Sequence, residues 1–172
     1  MTSYKEGLNK ITTFIFDVDG VLTNGDIILH KNEIVRTINS RDGYALQYAV
    51  KMGFNVFIIT GGNSEEVKTR LLTLGVHEVI LNAQNKVDEY QILKNKHLFS
   101  DEQVVYMGDD IPDYKVMQKV GVSACPQDAA VEIKASSDYQ SPFIGGRHCV
   151  RDVIEQTLRV QKKWFTEDAF EW

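Results

Sequence analysis

Residues 14–23 have the sequence Phe-Ile-Phe-Asp-Val-Asp-Gly-Val-Leu-Thr, and this stretch decides the fold. Its first three residues are apolar and typical of a buried strand. Asp17 and Asp19 follow two residues apart, and Gly20 lets the chain leave the sheet. Two carboxylates at the end of a buried strand are costly unless a cation such as Mg²⁺ neutralises them. A polar strand end followed by an ordinary turn is the alternative, and later stretches decide between the two.

The composition is that of an ordinary globular protein, with 43% of the 172 residues hydrophobic and 25% charged. This length suits one domain with a sizeable core, so we expect a single domain over residues 1–172. The net charge of −5, without a basic run, argues against a nucleic-acid partner. Cys125 and Cys149 form no metal-type cluster and fit a reducing compartment. Since no apolar run approaches the roughly 20 residues of a membrane span, and none resembles a signal peptide, we expect a cytoplasmic protein without a membrane partner.

Strand-like and helix-like stretches alternate along most of the chain. The patterns predict strands at Thr12–Asp17, Asn55–Thr60, Glu78–Leu81, Gln103–Met107 and Val122–Cys125. They predict helices at Ser40–Met52, 64–74, Lys86–His97, Pro112–Val120, Gln127–Ala135 and Arg151–Lys163. Such alternation indicates an α/β fold with a parallel sheet covered by helices on both faces.

Three segments lie outside this alternation. Residues 1–10 are polar and are expected to be a short lead-in. A β-hairpin is expected over Asp26–Ile38, with a polar turn at His30–Glu33, and we call residues 24–39 the flap. The tail, residues 164–172, is aromatic and acidic, and we expect either a disordered end or a second apolar surface that reaches a neighbouring chain.

Polar side chains follow three of the predicted strands. Asp17 and Asp19 end the first strand, Thr60 ends the second, and Asp109 and Asp110 end the fourth. In open parallel sheets, ligands bind beyond the carboxyl ends of the strands at a topological switch point. We therefore expect these residues to meet at one edge of the sheet and to form the functional site.

The residues in this set suit phosphoryl transfer. Asp17 is a candidate nucleophile that would form an aspartyl-phosphate, and Asp19 is a candidate acid and base for the leaving alkoxide and for water. Thr60 and the amide of Gly61 suit a phosphate oxygen. Lys86 would neutralise negative charge on the phosphoryl group and on Asp17.

A metal site would complete this arrangement. Asp109 would supply a further carboxylate ligand, with Asp110 and Asp113 behind it. Mg²⁺ and Lys86 together would give the electrostatic stabilisation that phosphoryl transfer mostly requires. Each residue alone has an ordinary interpretation, such as a strand-end hydroxyl, a solvated lysine or an acidic first helical turn. All of them in order, each beside a strand end, argue for the functional interpretation.

This ordered set resembles the four motifs of the haloacid dehalogenase superfamily of phosphatases. The motifs are residues 17–23, 59–62, Lys86 and 108–113, and the resemblance covers residues 12–155. It implies a Rossmann-like doubly wound sheet, Mg²⁺, Asp17 as nucleophile and Asp19 as acid/base. It also implies that the metal ligands are the carboxylates of Asp17 and Asp109 and the backbone carbonyl of Asp19. Because the stretches between the motifs hold only a hairpin, helices and a strand, the chain resembles the subgroup without a cap domain.

Further stretches resemble the 3-deoxy-D-manno-octulosonate 8-phosphate phosphatases. They are Asp42-Gly43-Tyr44, Leu74-Gly75-Val76, Gly145-Gly146-Arg147 and Val150-Arg151-Asp152. The resemblance implies release of phosphate from an eight-carbon keto-sugar acid on the lipopolysaccharide pathway. It also implies a homotetramer whose neighbours close each other's sites.

Two positions bear on the substrate. Gly62, which we place with Thr60, Gly61 and Lys86 in the phosphate-binding set, stands where that family usually has arginine. Related nonulosonate 9-phosphate phosphatases can have glutamate there, which Gly62 also is not. This position therefore does not discriminate between the sugars, and a nine-carbon sugar acid phosphate stays open as the alternative substrate. Arg70 aligns with an arginine that recurs in the family and is a candidate for the substrate carboxylate, with an ordinary surface arginine as the alternative.

Two other classes of protein are alternatives to a phosphatase. A signalling receiver domain also has an acidic pair, a phospho-accepting aspartate, a threonine and a lysine, but its lysine comes last. Here Lys86 precedes Asp109, and no acidic residue ends the third strand. A non-catalytic module is the second alternative, and turnover of an aryl phosphate with Mg²⁺ would exclude it.

The flap favours an oligomer. It carries more apolar residues than an isolated hairpin in water can expose, namely Ile27, Ile28, Leu29, Ile34, Val35 and Ile38. A site without a cap also needs something else to exclude water. We therefore expect a homo-oligomer that buries the flap.

Overall fold

The structure, a computed structural model, describes residues 4–31 and 33–171. The strands are β1 (Thr13–Phe16), β2 (Ile28–His30), β3 (Glu33–Val35), β4 (Asn55–Ile59), β5 (Glu78–Ile80), β6 (Val104–Met107), β7 (Val122–Cys125) and β8 (Tyr139–Gln140). The helices are α1 (Tyr4–Leu8), α2 (Ser40–Lys51), α3 (Glu65–Thr73), α4 (Lys86–His97), α5 (Tyr114–Met117), α6 (Val131–Ser136) and α7 (Cys149–Val160). None of the helices in the described ranges has the length and apolar character needed to cross a membrane.

The central sheet is parallel and has the strand order β5-β4-β1-β6-β7-β8. The chain proceeds outward from β1 through β4 to β5, and then returns to β6 on the other side of β1. Phe16 at the end of β1 is in register with Ile58 of β4 and Met107 of β6. The predicted α/β doubly wound sheet is confirmed, and its switch point lies beside β1.

Helices cover both faces of this sheet, which explains why β1 is apolar throughout. Phe14 and Phe16 pack into one core with Leu46 of α2, and α1, α3 and α7 contribute to the same core. Ile15 points to the opposite face, where it packs with Tyr90 of α4 and residues of α5 and α6. A parallel strand buried on both faces has no polar alternation to show in the sequence.

The N-terminal stretch is more ordered than the sequence suggested. Residues 4–8 form α1, a helix that was not predicted within the short polar lead-in. Leu8 is buried, and the hydroxyl of Tyr4 donates a 2.8 Å hydrogen bond to Gln156 of α7. Packing against α7 therefore orders a segment whose own pattern is too short to predict a helix.

The boundaries of α7 differ from the predicted Arg151–Lys163. The helix begins at Cys149 because Asp42 of α2 accepts hydrogen bonds from the backbone N–H groups of His148 and Arg151, at 3.0 and 2.8 Å. A cap supplied by another helix leaves no local signal. The helix ends at Val160, before Lys162 adopts a left-handed φ of 59°.

Two other helices are shorter than predicted. In place of Pro112–Val120, a 3₁₀ turn over Ile111–Asp113 leads into α5, whose end is tightened by a hydrogen bond from Lys119 N to Val116 O. In place of Gln127–Ala135, α6 begins at Val131, since the N–H of Gln127 donates to the carbonyl of Phe143 in another loop. The two-residue β8, beside β7, was not predicted because it is too short to form a pattern.

The flap forms a short antiparallel hairpin, with Ile28 opposite Val35. Asn32 of its predicted turn lies outside the described residues. Five large apolar side chains of the flap are exposed, namely Ile27, Ile28, Leu29, Ile34 and Val35. The hairpin therefore presents an apolar surface that none of the described residues covers.

The described part of the tail packs against α2 of its own chain. Thr166 Oγ1 lies 2.9 Å from the hydroxyl of Tyr48, and Lys51 Nζ donates to the carbonyl of Asp168 at 2.9 Å. Phe165 and Phe170 stay exposed and contact each other edge to face. Trp172, which we included in the tail, lies outside the described residues.

Candidate active site

A buried lysine joins two aspartates at the carboxyl end of the sheet. Lys86, the first residue of α4, donates to Asp17 Oδ2 at 2.6 Å and to Asp113 Oδ1 at 2.7 Å. Its helix begins there because the side chain of Asn85 accepts from the N–H of Val87. All three charged side chains are at most 11% exposed, so their mutual attraction is weakly screened.

Both carboxylate oxygens of Asp113 accept hydrogen bonds. Besides Lys86, its Oδ1 accepts a 2.6 Å hydrogen bond from the hydroxyl of Tyr106, a buried residue of β6. Its Oδ2 accepts from the backbone N–H of Asp109 at 3.3 Å. A carboxylate with this many donors is fixed in place, and it fixes Lys86 in turn.

Asp109 has the opposite environment. No residue in the described ranges donates a hydrogen bond to its carboxylate, which lies with those of Asp17 and Asp113 in a group whose ligand oxygens are within 4.8 Å of one another. Burial, followed by repulsion from Asp17 and Asp113, raises the pKa of Asp109 to about 7. Burial and repulsion from Asp113, opposed by Lys86, raise the pKa of Asp17 to about 6.

The charges and hydrogen bonds of this carboxylate group bear on metal binding. Three carboxylates face one ammonium group, so negative charge is in excess. Asp109 in particular has oxygen atoms that lack a donor among the described residues, and oxygen ligands of this type suit Mg²⁺. Gly20 makes room for this group, because a Cβ atom there would lie 2.0 Å from Asp109 Oδ2. The donor set therefore fits a divalent cation.

The residues after β4 lie close to the end of β1, because the two strands are neighbours in the sheet. They are Thr60, Gly61 and Gly62. Thr60 is buried, and its Oγ1 accepts from the N–H of Gly62 at 3.1 Å. The N–H of Gly61 makes no hydrogen bond with any described residue, and a Cβ atom at Gly61 would meet nothing within 4 Å. A hydroxyl and an open backbone amide at a strand end are suitable donors for a phosphate oxygen.

Asp19 is engaged by an arginine of the flap. Arg36, directly after β3, donates from Nε to Oδ1 of Asp19 at 2.7 Å and from Nη2 to Oδ2 at 2.9 Å. The hydroxyl of Thr23 lies 3.4 Å from the same Oδ1. Asp19 is thus at the site where the sequence predicted it, but its carboxylate is already paired.

Two predicted residues lie apart from the cluster. Asp110 is exposed and caps the 3₁₀ turn by accepting from the N–H of Ile111 at 2.8 Å. Arg70 is exposed on α3 and lines a groove of about 740 Å³ between α3 and the flap. Ser64 and Arg36 line the same groove, which connects Arg70 with the Thr60 side of the site.

Comparison with known proteins gives the family. No family model matches the chain. The 3-deoxy-D-manno-octulosonate 8-phosphate phosphatase KdsC of Escherichia coli (strain K12) is 38% identical over 155 residues, which cover 90% of this chain and 82% of the relative. This chain belongs to the 3-deoxy-D-manno-octulosonate 8-phosphate phosphatase family.

Solved structures of this octulosonate phosphatase family are similar to the structure of this chain. The enzyme from Yersinia pestis has a TM-score of 0.91 at 32% identity, with 93% of this chain and 87% of that chain covered. The enzyme from Moraxella catarrhalis, solved in complex with a magnesium ion, a phosphate ion and a KDO molecule, has a TM-score of 0.91 at 30% identity, with 97% and 95% covered. The resemblance to the haloacid dehalogenase superfamily, without a cap domain, is confirmed.

Three residues that shape or support the site could not be recognised from the sequence. Tyr106 is an ordinary aromatic residue in a buried strand, and only its contact with Asp113 reveals its role. Arg36 lies in the flap, where a lone arginine resembles a solvated surface charge. Asp42 belongs to a quoted motif, but its capping of α7 depends on two helices packing together.

Proposed function

We propose that this chain is a Mg²⁺-dependent phosphomonoester hydrolase that releases phosphate from 3-deoxy-D-manno-octulosonate 8-phosphate in lipopolysaccharide sugar biosynthesis. The observation that carries the proposal is the buried Asp17–Lys86–Asp113 arrangement beside Asp109 and Thr60 at the switch point of the sheet. Membership in the octulosonate phosphatase family and the magnesium, phosphate and KDO of the Moraxella catarrhalis relative support the substrate and the metal.

In the first step, Asp17 attacks the phosphorus atom as the bond to the ester oxygen breaks. The leaving alkoxide takes a proton from Asp19, which enters this step as the carboxylic acid, and the phosphoryl group is transferred to the Asp17 carboxylate. Lys86, with its position fixed by Asp113, neutralises the charge of the transferred group. Thr60 and the amide of Gly61 bind its oxygens and so keep the phosphorus in line between Asp17 and the leaving oxygen.

In the second step, Asp19 takes a proton from water, which attacks the aspartyl-phosphate and releases inorganic phosphate. Mg²⁺, when bound by the carboxylates of Asp17 and Asp109 and the carbonyl of Asp19, would neutralise further charge on the phosphoryl oxygens. We assign Asp113 to holding Lys86 rather than the metal, since both of its oxygens already accept hydrogen bonds. Asp110 would act indirectly, by capping the turn over Ile111–Asp113.

The test is a turnover assay against a panel of phosphate esters with Mg²⁺. The octulosonate 8-phosphate should be hydrolysed with the highest kcat/KM, a nonulosonate 9-phosphate less well, and an aryl phosphate slowly. A preference for the nine-carbon ester would establish the alternative substrate that Gly62 leaves open. No turnover of any ester by the metal-loaded protein would contradict the hydrolase and favour a non-catalytic module.

We further infer how the substrate and the assembly fit this site. Arg70 would bind the substrate carboxylate across the groove, at a distance from the phosphate. The exposed apolar flap supports a homotetramer. We place the enzyme, as one domain, in the cytoplasm, and the two free buried thiols of Cys125 and Cys149 support a reducing compartment.

A further inference from the structure

The pair between Arg36 and Asp19 has the geometry of a strong interaction. Two parallel N–H groups of one guanidinium donate to the two oxygens of one carboxylate, at 2.7 and 2.9 Å. The side chain of Arg36 is only 6% exposed, while that of Asp19 is 33% exposed. In the described part of the chain, Asp19 is the acidic partner of Arg36, and the Nη1 group of Arg36 makes no hydrogen bond.

The guanidinium of Arg36 lies next to the residues that would hold a phosphoryl group. A Cβ atom at Gly62 would be 3.5 Å from Arg36 Nη2, 3.5 Å from Thr60 Oγ1 and 3.6 Å from Asp19 Oδ2. These three polar atoms therefore surround one point, which stays open because residue 62 is glycine. Arg36 also lines both the small cavity beside Thr60 and the groove that leads to Arg70.

The pair is incompatible with the chemistry that Asp19 has to perform. Asp19 must approach the ester oxygen to donate a proton, and later a water molecule to accept one. Both of its oxygens accept hydrogen bonds from Arg36, so the pair has to open before either step. A buried guanidinium that leaves one anion needs another, because an unpaired buried charge is costly. A phosphoryl group on Thr60 would offer that anion, in a geometry that the arginine fork matches equally well.

We propose that Arg36 exchanges partners, pairing with Asp19 in the free enzyme and with the phosphoryl group of the substrate in the complex. The exchange adds a cation to the phosphoryl group and frees the Asp19 carboxylate, which takes up a proton from solvent before it donates that proton to the ester oxygen. Arg36 is thus a binding residue for phosphate and a positioning residue for Asp19. This inference rests on the proposed phosphatase function, but not on which sugar is the substrate.

Kinetics with an aryl phosphate test the exchange without reference to the sugar. Arg36→Ala should raise KM about tenfold or more through loss of a charge-assisted contact with phosphate. Its kcat should change less than about twofold, since the contact is lost equally from bound substrate and transition state. The inhibition constant of inorganic phosphate should rise by the same factor as KM. Arg36→Lys should recover part of the loss, because it keeps the charge without the fork.

Arg159→Ala is the matched control. Arg159 also donates from Nε and a second nitrogen to a carboxylate, that of Glu155, but on the exposed surface of α7. Its replacement should leave KM, kcat and phosphate inhibition unchanged. A fall in kcat with unchanged KM in Arg36→Ala would mean that Arg36 only orients Asp19, and it would overturn the exchange. Unchanged values of both constants would overturn it as well.

A measurement on the wild-type protein does not depend on the folding of a variant. In an NMR spectrum of the ¹⁵N-labelled chain, the Nε–H signal of Arg36 can be assigned by its absence from Arg36→Lys. Addition of inorganic phosphate in the presence of Mg²⁺ should shift this signal together with the amide signal of Gly61. A shift of Gly61 alone would overturn the exchange. Absence of turnover on every ester would instead count against the phosphatase function, so the two failures are distinguishable.

Discussion

Lys86 shows how burial and charge balance at a single residue of this site. Burial alone would lower the pKa of its ammonium group, but the nearby carboxylates of Asp17 and Asp113 outweigh burial and raise that pKa. The lysine therefore stays charged throughout the neutral pH range. A fixed cation beside Asp17, the proposed nucleophile, is available when negative charge develops on the phosphoryl group, without reorganisation of solvent.

The first prediction concerns the two aspartates after β1. Asp17→Asn should abolish turnover, because a neutral amide neither attacks phosphorus nor binds Mg²⁺ comparably. Asp19→Asn should reduce kcat by about 10²–10⁴-fold through loss of acid/base catalysis. Asp88→Asn, an exposed aspartate on α4, is the matched control and should keep full activity. Near wild-type turnover by Asp17→Asn would show that the nucleophile is another group.

The second prediction concerns Arg70. Arg70→Ala should raise KM for the octulosonate phosphate about tenfold, since it removes a charged partner of the carboxylate. KM for an aryl phosphate, which has no carboxylate, should not change. Lys68→Ala, a nearby helix residue paired with Glu65, serves as the control for altered surface charge. Equal losses on both substrates would contradict a role in carboxylate binding.

At the scale of elements, the loop after β1 determines where the carboxylates lie. Asp17 caps the turn by accepting from the N–H of Val18, and Gly20 follows with a left-handed φ of 81°. The loop of Gly145 packs against the same turn, since a Cβ atom there would lie 2.1 Å from the carbonyl of Gly20. The loop of Gly145 therefore supports the turn, and the carboxylate of Asp109 lies next to Gly20.

The third prediction follows from this carboxylate cluster. Treatment with EDTA should abolish phosphatase activity, and Mg²⁺ should restore it. Ca²⁺ should restore it poorly, because its longer bonds and higher coordination number would misplace Asp17, the proposed nucleophile. Full activity in metal-free buffer would contradict a metal site at Asp17 and Asp109.

The fourth prediction concerns Gly20. Gly20→Ala should raise the Mg²⁺ concentration for half-maximal activity at least about tenfold, because its methyl group would displace a ligand carboxylate and supporting groups of this kind tune metal affinity to that extent. Gly53→Ala is a matched control, since Gly53 has a similar φ of 85° but would meet nothing within 4 Å. It should cost about 1 kcal/mol of stability and leave the Mg²⁺ dependence unchanged. Equal Mg²⁺ dependence in both variants would mean that backbone strain alone matters.

Some element boundaries could be predicted from the sequence, and others could not. The ends of β1, β4 and β6 were predictable because apolar strands stop abruptly at polar residues, and a parallel sheet brings such ends together. The start of α7 was not, since Asp42 caps it from a distance of more than a hundred residues along the chain. Arg36 was missed for the same reason, because its pairing with Asp19 depends on how the flap folds back over the turn.

At the scale of the whole molecule, the site is open and the flap is apolar. The sheet carries no cap domain, and among the described residues it is Arg36 of the flap that pairs with Asp19. Water exclusion favours phosphoryl transfer, and the uncovered apolar surface of the flap offers a means to achieve it. Burial of several flaps around a symmetry axis would cover the apolar side chains and bring neighbours close to each site.

The fifth prediction is that this burial occurs in a tetramer. Light scattering should give about four times the 19.6 kDa chain mass. Leu29→Glu should lower that mass, since Leu29 is 80% exposed at the flap and a charge there would oppose burial in an interface. Activity per chain should fall with it, because the base of the flap carries Arg36. Ile92→Glu, an exposed apolar position on α4, should change neither property. A wild-type monomer with full activity at nanomolar concentration would rule out shared sites and leave the flap as a lid within one chain.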